Sequence, residues 1–157
     1  LLCSSSSVVL EIIICGSIIE DDIRVMYAHL LNRFKRHGII CLKSRQYHSK
    51  QYQCLLSSAD LFVMPSRLES TSLAALEALW FGVPSILTPH CGVDPFVAHR
   101  HGYQLLEHNP AALAQAMYNL CTSSEKREFF RACLAKDRHL FSWNQYMTAY
   151  QEFLASL

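Results

Sequence analysis

The fold is decided by residues 59–92, which read ADLFVMPSRLESTSLAALEALWFGVPSILTPHCG. Residues 60–64 form an apolar run of strand length, and Pro65 breaks it. Residues 73–81 carry a helical apolar pattern that stops at Gly82, and residues 83–87 form a second short apolar run. Two parallel strands joined by a helix make a β-α-β unit. The stretch therefore predicts an α/β domain with a parallel sheet.

The turn between the first strand and the helix is polar. Glu69 is followed by Ser70, Thr71 and Ser72, which offer three hydroxyl groups as N-caps. A helix N-terminus presents unpaired N–H groups and the positive end of the helix dipole. In a β-α-β unit this is the usual place for a phosphate group, so the turn is a candidate phosphate site.

Glu77 is the second acid of this unit. On a helix it shares a face with Leu73, Leu76, Trp80 and Phe81, so the spacing predicts that Glu77 lies on the apolar stripe or at its edge. An unpaired carboxylate is costly to bury. A ligand hydroxyl is one possible partner; a position at the solvent boundary of an ordinary helix is the other reading, and spacing alone favours it.

The whole stretch resembles the donor-binding half of GT-B retaining glycosyltransferases of the large family 4, or group 1, type. Glu69 and Glu77 match that family's two glutamates, which are separated by seven residues. The other matching positions are Asp60, Pro65, Ser66, Ala78, Gly82, Pro84 and Gly92. So many matches in register are far more specific than a single short motif.

The resemblance implies an α/β fold: a Rossmann-like three-layer parallel sheet flanked by helices, the C-terminal half of a GT-B fold lacking its first strand region. Residues 1–157 are then a single nucleotide-sugar-binding domain. Because the chain begins at Leu1 and enters a strand almost at once, we expect a fragment without the N-terminal acceptor domain. The parent is expected to be a glycosyltransferase (EC 2.4), and this chain alone is expected to be inactive or barely active.

The resemblance also assigns roles to residues. Glu69 is the predicted catalytic residue and contacts hydroxyls of the donor sugar, whereas Glu77 accepts hydrogen bonds from the ribose 2′ and 3′ hydroxyls. Backbone N–H groups at the helix start bind the diphosphate, and the predicted donor-binding residues there are Ser70, Thr71, Ser72 and Leu73. Family enzymes need no metal, so no cofactor is expected beyond the nucleotide-diphospho-sugar. Ser70, Thr71 and Ser72 depart from the family, which usually has a glycine in this turn.

Two further donor-binding candidates lie near the start of the chain. Residues 8–15 predict a parallel strand buried on both faces, and Gly16 ends it. The resemblance places a glycine here beside the phosphates, while a plain strand-ending glycine remains equally open. Residues 39–42 predict the next strand. Lys43 and Arg45 follow it and either face the diphosphate or are exposed loop cations, and Lys43 is kept as a candidate.

Capping residues and apolar spacing predict the remaining elements. A helix is expected from Glu20 to Arg36, with its apolar stripe ending at Phe34, a short one over 49–58 and an edge strand over 102–106. Further helices are expected to begin at Asn109 or Pro110, at Ser123 and after Ser142. The apolar face of the last helix is either a dimer contact or an exposed patch.

Composition excludes some functions. The net charge of +1 gives no electrostatic case for nucleic acid or for a strongly anionic membrane. Seven cysteines, an odd number with no C-x-x-C pair, are typical of a reducing compartment. No apolar run approaches the length of a membrane span. We therefore predict a cytoplasmic protein, whose parent either is soluble or associates peripherally with a membrane.

Four potential metal ligands crowd one segment. His90, Cys91, His99 and His101 fall within twelve residues, but their spacing fits no standard zinc pattern. We therefore predict no metal site here. A serine hydrolase has no support either, because the chain lacks a G-x-S-x-G turn.

The expected function is therefore nucleotide-sugar binding within a retaining transferase. Such an enzyme transfers a hexosyl group to a glycan or lipid-linked acceptor, for example in polysaccharide biosynthesis. Two alternatives stay open. One is a nucleotide-sugar epimerase of the GT-B type. The other is a non-catalytic GT-B remnant or interaction module, which the serine-filled turn would also fit.

Overall fold

The computed structural model describes residues 11–16, 25–26, 28–29, 32, 39–43, 50–93, 100–105 and 107–156. The chain divides into two units, Leu1–Gln53 and Cys54–Leu157, and each is described by itself. Parallel strand pairing in both units confirms the predicted α/β class. The expected helix positions Glu20 and Phe34 lie outside the described residues, as does Arg45.

The first unit contains two parallel strands, β1 (Ile12–Gly16) and β2 (Ile39–Lys43). They pair from Ile12 opposite Ile39 to Gly16 opposite Lys43. The residues described between them, 25–26, 28–29 and 32, are helical. A parallel pair needs a long crossover connection, so this arrangement agrees with the β-α-β pattern predicted for this part of the chain.

The prediction that β1 is buried on both faces is wrong. Ile13 and Ile14 are 37 % and 41 % exposed. Within the described residues, the main packing partner of β1 is β2, which pairs with its edge and leaves its faces accessible. An uninterrupted apolar run shows that both faces of a strand are suited to burial, but it does not show that other elements pack against them.

The second unit is built on a three-stranded parallel sheet in the order β3-β4-β5. Among the described residues, helices and a 3₁₀ turn lie along the chain around these strands. In chain order, the bounds of these helices and strands are α1 (Lys50–Ser58, beginning in the first unit), β3 (Phe62–Met64), α2 (Leu73–Trp80), β4 (Ser85–Leu87), β5 (Gly102–Gln104), α3 (Pro110–Cys121), α4 (Ser124–Asp137), the 3₁₀ turn (Arg138–Phe141) and α5 (Trp143–Ala155).

Apolar side chains cover both faces of this sheet. Successive side chains of a strand point to opposite faces, and on β4 Leu87 and Ile86 enter different clusters. Leu87 packs with residues of α2 and α4. Ile86 packs with Ala116 and Leu120 of α3. The second unit is therefore a three-layer arrangement of helix, sheet and helix, as predicted.

The helix ends follow the capping residues. Asn109 Oδ1 accepts from the backbone N–H of Ala111 at 2.8 Å, with Pro110 at the first helical position. Ser123 and Ser142 cap α4 and α5 in the same way. These three helix starts were predicted from the sequence and are confirmed.

Helix α2 ends in a Schellman motif at Gly82. Val83 N–H donates to Ala78 O at 2.9 Å and Gly82 N–H donates to Leu79 O at 3.0 Å. Gly82 has a φ of +78°, a conformation that side chains with a Cβ rarely adopt. The chain therefore turns directly from α2 into β4, which confirms the predicted helix end.

The predicted apolar stripe of α2 is not its core face. The buried residues are Ala75, Ala78 and Leu79, whereas Leu73 is exposed and Glu77 is half-buried. The sequence LAALEALW is apolar at all but one position, so its periodicity did not fix the buried face. Small alanines let the helix approach the sheet closely. Glu77 consequently lies on the flank of the helix, beside the core and not on it.

Helix α5 exposes most of its apolar residues. Trp143, Met147, Tyr150 and Leu154 recur at helical spacing and are all exposed, and the main described packing partner of α5 is the 3₁₀ turn. The dimer contact expected here stays a prediction. Among the described residues, the helices are too short or too polar to cross a membrane.

Candidate functional site

Two loops leave the carboxyl ends of β3 and β4 at the same edge of the sheet. The first edge loop comprises residues 65–72, and the second comprises residues 88–92. In parallel α/β sheets this edge is where ligands bind. The first edge loop contains Glu69, Ser70, Thr71 and Ser72, and it leads directly into α2.

Backbone hydrogen bonds join the two loops. Glu69 N–H donates to His90 O at 2.8 Å, and Ser72 N–H donates to Cys91 O at 3.2 Å. Cys91 is fully buried in the core cluster below the loops. The position of the Glu69 backbone is therefore set by the second loop and not only by its own turn.

Gly92 lets the loops touch through their backbones. Its φ is +71°, and a Cβ at this position would lie 2.5 Å from Ser70 O and 2.7 Å from Thr71 Cα. Any other residue would clash with the first edge loop and strain its own backbone. The glycine matched by resemblance thus has a physical reason in this chain.

Thr88 ties the first edge loop to the sheet. Its hydroxyl lies 2.5 Å from Ser66 O, and its backbone N–H donates to Met64 O at 3.3 Å. Thr88 is only 2 % exposed. A buried hydroxyl needs a hydrogen-bond partner, and this one finds it in the loop that carries Glu69.

The predicted catalytic residue, Glu69, presents an exposed carboxylate on the first edge loop. Ser66 Oγ donates to Glu69 Oε1 at 2.9 Å. An ionised carboxylate has about four acceptor positions. Capacity therefore remains on Glu69 to accept further hydrogen bonds from a ligand.

The start of α2 follows the prediction of a hydroxyl cap. Ser72 is the N-cap, and its hydroxyl accepts from Ala75 N–H at 3.3 Å. Ser72 is buried, whereas Ser70, Thr71 and the Leu73 side chain are exposed. The first helical bond is Leu76 N–H to Ser72 O, so the N–H groups of Leu73 and Ala74 precede the helical ladder.

Glu77 is half-buried, and its Oε2 atom is buried with no hydrogen bond to the described residues. Glu77 does take part in another interaction. Because Cα–Cβ bonds tilt toward the N-terminus of a helix, Glu77 leans back toward the first turn of α2. The structure therefore brings Glu69, Ser70, Thr71, Ser72 and Leu73 onto one loop and helix start, with Glu77 one turn further along.

The remaining two candidates belong to the first unit. Gly16 and Lys43 are register partners at the carboxyl ends of β1 and β2. These two predicted residues are thus neighbours in the backbone of their own sheet. The side chain of Lys43 lies outside the described structure, and both assignments stay predictions.

The suspected histidine and cysteine cluster does not assemble in the described residues. His90 is exposed, Cys91 lies in the core, and His101 is buried beside Asp137. His99 lies outside the described residues. Across the described segments, no group of three His, Cys, Asp or Glu residues is placed to hold a metal ion.

Sequence reasoning missed a buried polar pair. His101 Nε2 lies 3.0 Å from Asp137 Oδ2, and Arg100 Nε lies 2.9 Å from the same oxygen. The hydrogen bond from His101 lowers the pKa of Asp137, burial opposes this, and the nearby charge of Arg100 adds to the lowering. One signal was available, because an acid at the C-terminus of a helix is disfavoured by the dipole and so needs a partner.

Comparison with known proteins places these observations in a family. The profile described as "Glycosyl transferases group 1" matches residues 2–146. A relative described as probable sucrose-phosphate synthase 1, from Craterostigma plantagineum, is 26 % identical over 136 residues. That alignment covers 81 % of this chain but only 12 % of the relative. The chain thus spans about an eighth of that protein's length.

Two solved structures share the fold at 20 % identity. Anabaena Alr3699/HepE in complex with UDP has a TM-score of 0.72, with 94 % of this chain and 41 % of that chain covered. The catalytic domain of starch synthase IV from Arabidopsis thaliana, bound to ADP and acarbose, has a TM-score of 0.68, with 90 % and 31 % covered. These likenesses confirm the predicted fold.

Proposed function

The chain belongs to the glycosyl transferases group 1 family, and from this premise we propose that it is the part of a retaining glycosyltransferase that binds the nucleotide-diphospho-sugar. The longer protein transfers a hexosyl group from this donor to a glycan or lipid-linked acceptor. The chain spans only a small part of its curated relatives, so the acceptor would be held by residues beyond this chain.

One observation carries the proposal. The two edge loops are joined by the Glu69 and Ser72 backbone N–H groups, and together they surround the start of α2. This puts a carboxylate, two exposed hydroxyls and a helix N-terminus at the carboxyl edge of a parallel sheet. In a sugar diphosphate, the sugar hydroxyls can donate to the carboxylate, and the negatively charged phosphates suit the helix N-terminus.

The diphosphate is assigned to the start of α2. The N–H groups of Leu73 and Ala74 and the positive end of the helix dipole favour an anion there. Ser70 and Thr71 are exposed, so their hydroxyls are available as additional donors where the family usually has glycine. As the donor bond breaks, negative charge grows on the leaving diphosphate, and preorganised N–H groups stabilise that charge.

The two glutamates take different parts of the donor. Glu69, on the exposed loop, accepts hydrogen bonds from the sugar ring. Glu77 leans toward the first turn of α2 and accepts from the ribose diol, since the two oxygens of a carboxylate match two neighbouring hydroxyls. The UDP and ADP bound to the two solved structures support the nucleotide part of this assignment.

Other expectations accompany the proposal. Gly16 and Lys43 of the first unit remain predicted donor-binding residues, and no metal cofactor is expected. A cytoplasmic location is supported by cysteines that form no disulfide among the described residues, Cys54, Cys91, Cys121 and Cys133. No nucleic-acid partner is expected. Peripheral membrane association and a dimer through α5 stay predictions for the longer protein.

The test is a titration of the purified chain with UDP-, GDP- and ADP-sugars, followed by calorimetry or NMR shifts. We expect one donor class to bind and Glu77→Ala to weaken that binding by at least tenfold, because a hydrogen bond to a charged group contributes about 1.5–3 kcal/mol. Glu152→Ala is the matched control. Glu152 is exposed on α5, and its removal should leave the Kd unchanged.

Two outcomes contradict the proposal. A folded chain that binds none of the three donors supports the non-catalytic alternative. Equal Kd values for wild type and Glu77→Ala remove the assigned role of Glu77. If a longer protein containing this chain converts a nucleotide sugar into its epimer without transfer, the epimerase alternative replaces the transferase.

A further inference from the structure

Hydrogen bonds hold both the backbone and the carboxylate of Glu69, the residue assigned to the hydroxyls of the donor's sugar ring. The Glu69 backbone N–H donates to His90 O at 2.8 Å. Ser66 Oγ donates to the carboxylate atom Oε1 of Glu69 at 2.9 Å. An exposed glutamate otherwise samples many rotamers, and fixing one of them costs side-chain entropy. These contacts meet part of that cost before any ligand arrives.

The Ser66 backbone is itself anchored from below. Thr88 is buried, and its hydroxyl lies 2.5 Å from Ser66 O and 3.3 Å from Met64 O. A hydroxyl has one proton to donate, and the shorter distance assigns it to Ser66 O. Hydrogen bonds thus link Thr88, which follows β4, to Ser66, and Ser66 to the Glu69 carboxylate.

Among the described residues, Met64 Sδ, at 3.3 Å, competes with Glu69 as an acceptor for the Ser66 hydroxyl. A thioether sulfur is a weak acceptor, whereas a hydrogen bond to an ionised carboxylate is about twice as strong as a neutral one. The carboxylate of Glu69 is therefore the preferred partner of the Ser66 hydroxyl. When Glu69 is removed, this hydroxyl can still donate to Met64 Sδ.

We infer that Ser66 and Thr88 are positioning residues that hold the Glu69 carboxylate in place for the hydroxyls of the donor's sugar ring. The inference rests on the proposed function and deepens it. Neither residue is assigned a contact with the nucleotide. Their effect therefore falls on the sugar half of the donor, because a preorganised acceptor saves ordering cost only for the group that it binds.

The test compares a nucleotide sugar with its nucleoside diphosphate. For the donor that the wild-type chain binds best, we expect Ser66→Ala to raise the Kd of the nucleotide sugar about three- to tenfold. The Kd of the corresponding diphosphate should stay the same. Thr88→Val should act like Ser66→Ala, and Thr88→Ser, which keeps the hydroxyl, should restore wild-type binding.

A double-mutant cycle shows whether Ser66 acts through Glu69. In a Glu69→Ala background, Ser66→Ala should have no further effect on the Kd of the nucleotide sugar. Ser58→Ala is the matched control, because the Ser58 hydroxyl donates to Leu55 O at the end of α1 and, in the described part of the chain, makes no hydrogen bond to either edge loop. The inference is overturned if Ser66→Ala weakens both ligands equally or still acts without Glu69.

A ligand-free measurement separates this inference from the proposed function. The ¹³C shift of the Glu69 carboxyl carbon should move in Ser66→Ala and Thr88→Val, but not in Ser58→Ala. If no donor binds to wild type, the proposed function fails and with it the role in sugar binding. If donors bind but the carboxyl shift is the same in all variants, the positioning contact is absent.

Discussion

Single residues explain why two loops far apart in sequence act as one surface. Gly92 has no Cβ, and the backbone of Ser70 occupies the space where a Cβ would lie. Thr88, His90 and Cys91 supply hydrogen-bond groups that join the second edge loop to the first. The geometry of the Glu69 loop therefore depends on residues about twenty positions later in the chain.

Asp137 should make the stability of the fold depend on acid pH. Its pKa is lowered from 3.8, first by the hydrogen bond from His101 and then, against the effect of burial, by the nearby charges of Arg100, His101 and Lys136. A carboxyl group with a lowered folded pKa stabilises fully above its unfolded pKa. That stabilisation is lost as the pH falls through the folded pKa.

We therefore expect the free energy of unfolding to fall as the pH is lowered from about 5 to 2, and to fall less in Asp137→Asn. Urea unfolding at a series of pH values measures this. Asp60→Asn is the control, because Asp60 pairs with Arg131 at the surface and its side chain is 77 % exposed; it should keep the wild-type acid loss. An acid loss in Asp137→Asn equal to that of the wild type would show that the fold does not stabilise the ionised form of Asp137.

At the level of elements, the end of α2 offers a measurement of backbone strain alone. Gly82 has a φ of +78°, and a Cβ added there would meet no atom within 4 Å. We expect Gly82→Ala to lower the free energy of unfolding by about 1–2 kcal/mol, the cost of the left-handed conformation for a residue with a Cβ. Gly82→Asn should cost less, since asparagine tolerates this conformation.

Urea unfolding of the three proteins at neutral pH checks this order. Because the site is open, overpacking cannot explain a loss of stability in Gly82→Ala. Equal stability of the alanine and asparagine variants would contradict the argument from conformation. A loss in both that is larger than about 2 kcal/mol would mean that the Schellman hydrogen bonds to Ala78 and Leu79 had also broken.

The elements also show where sequence reasoning works. Helix starts at Asn109, Ser123 and Ser142 were predictable because a capping side chain acts on N–H groups two or three residues away. The buried face of α2 was not predictable, since nearly every position of that helix is apolar. Which face of a helix is buried depends on the elements that it packs against, and the spacing of residues within the helix does not contain that information.

The same division holds for the candidate site. The loop that carries Glu69 and a hydroxyl cap at Ser70, Thr71 or Ser72 follow from the order of residues in one β-α-β unit. The Thr88 contact with Ser66 and the pairing of His101 with Asp137 join residues 22 and 36 positions apart. Neither leaves a local pattern, so each required the packed sheet and helices to be known.

At the scale of the whole molecule, charge limits how a diphosphate is bound. The net charge is only +1, so no general positive field draws the donor in, and the phosphates must be stabilised locally. The proposed function gives this task to N–H groups at the start of α2 and not to a metal ion. An ion-independent site and an ion-dependent one differ in a simple measurement.

We expect the Kd of the nucleotide sugar to agree within about twofold in excess EDTA and in millimolar magnesium chloride, because the helix N-terminus itself supplies the donors. Calorimetric titration of the whole chain in both buffers measures this, with Glu77→Ala as the weakened reference. Salt should weaken binding modestly and equally in the two buffers, since the screened charge is the same. A Kd more than tenfold lower with magnesium would show that a cation completes the site, and would transfer leaving-group stabilisation from the backbone to that ion.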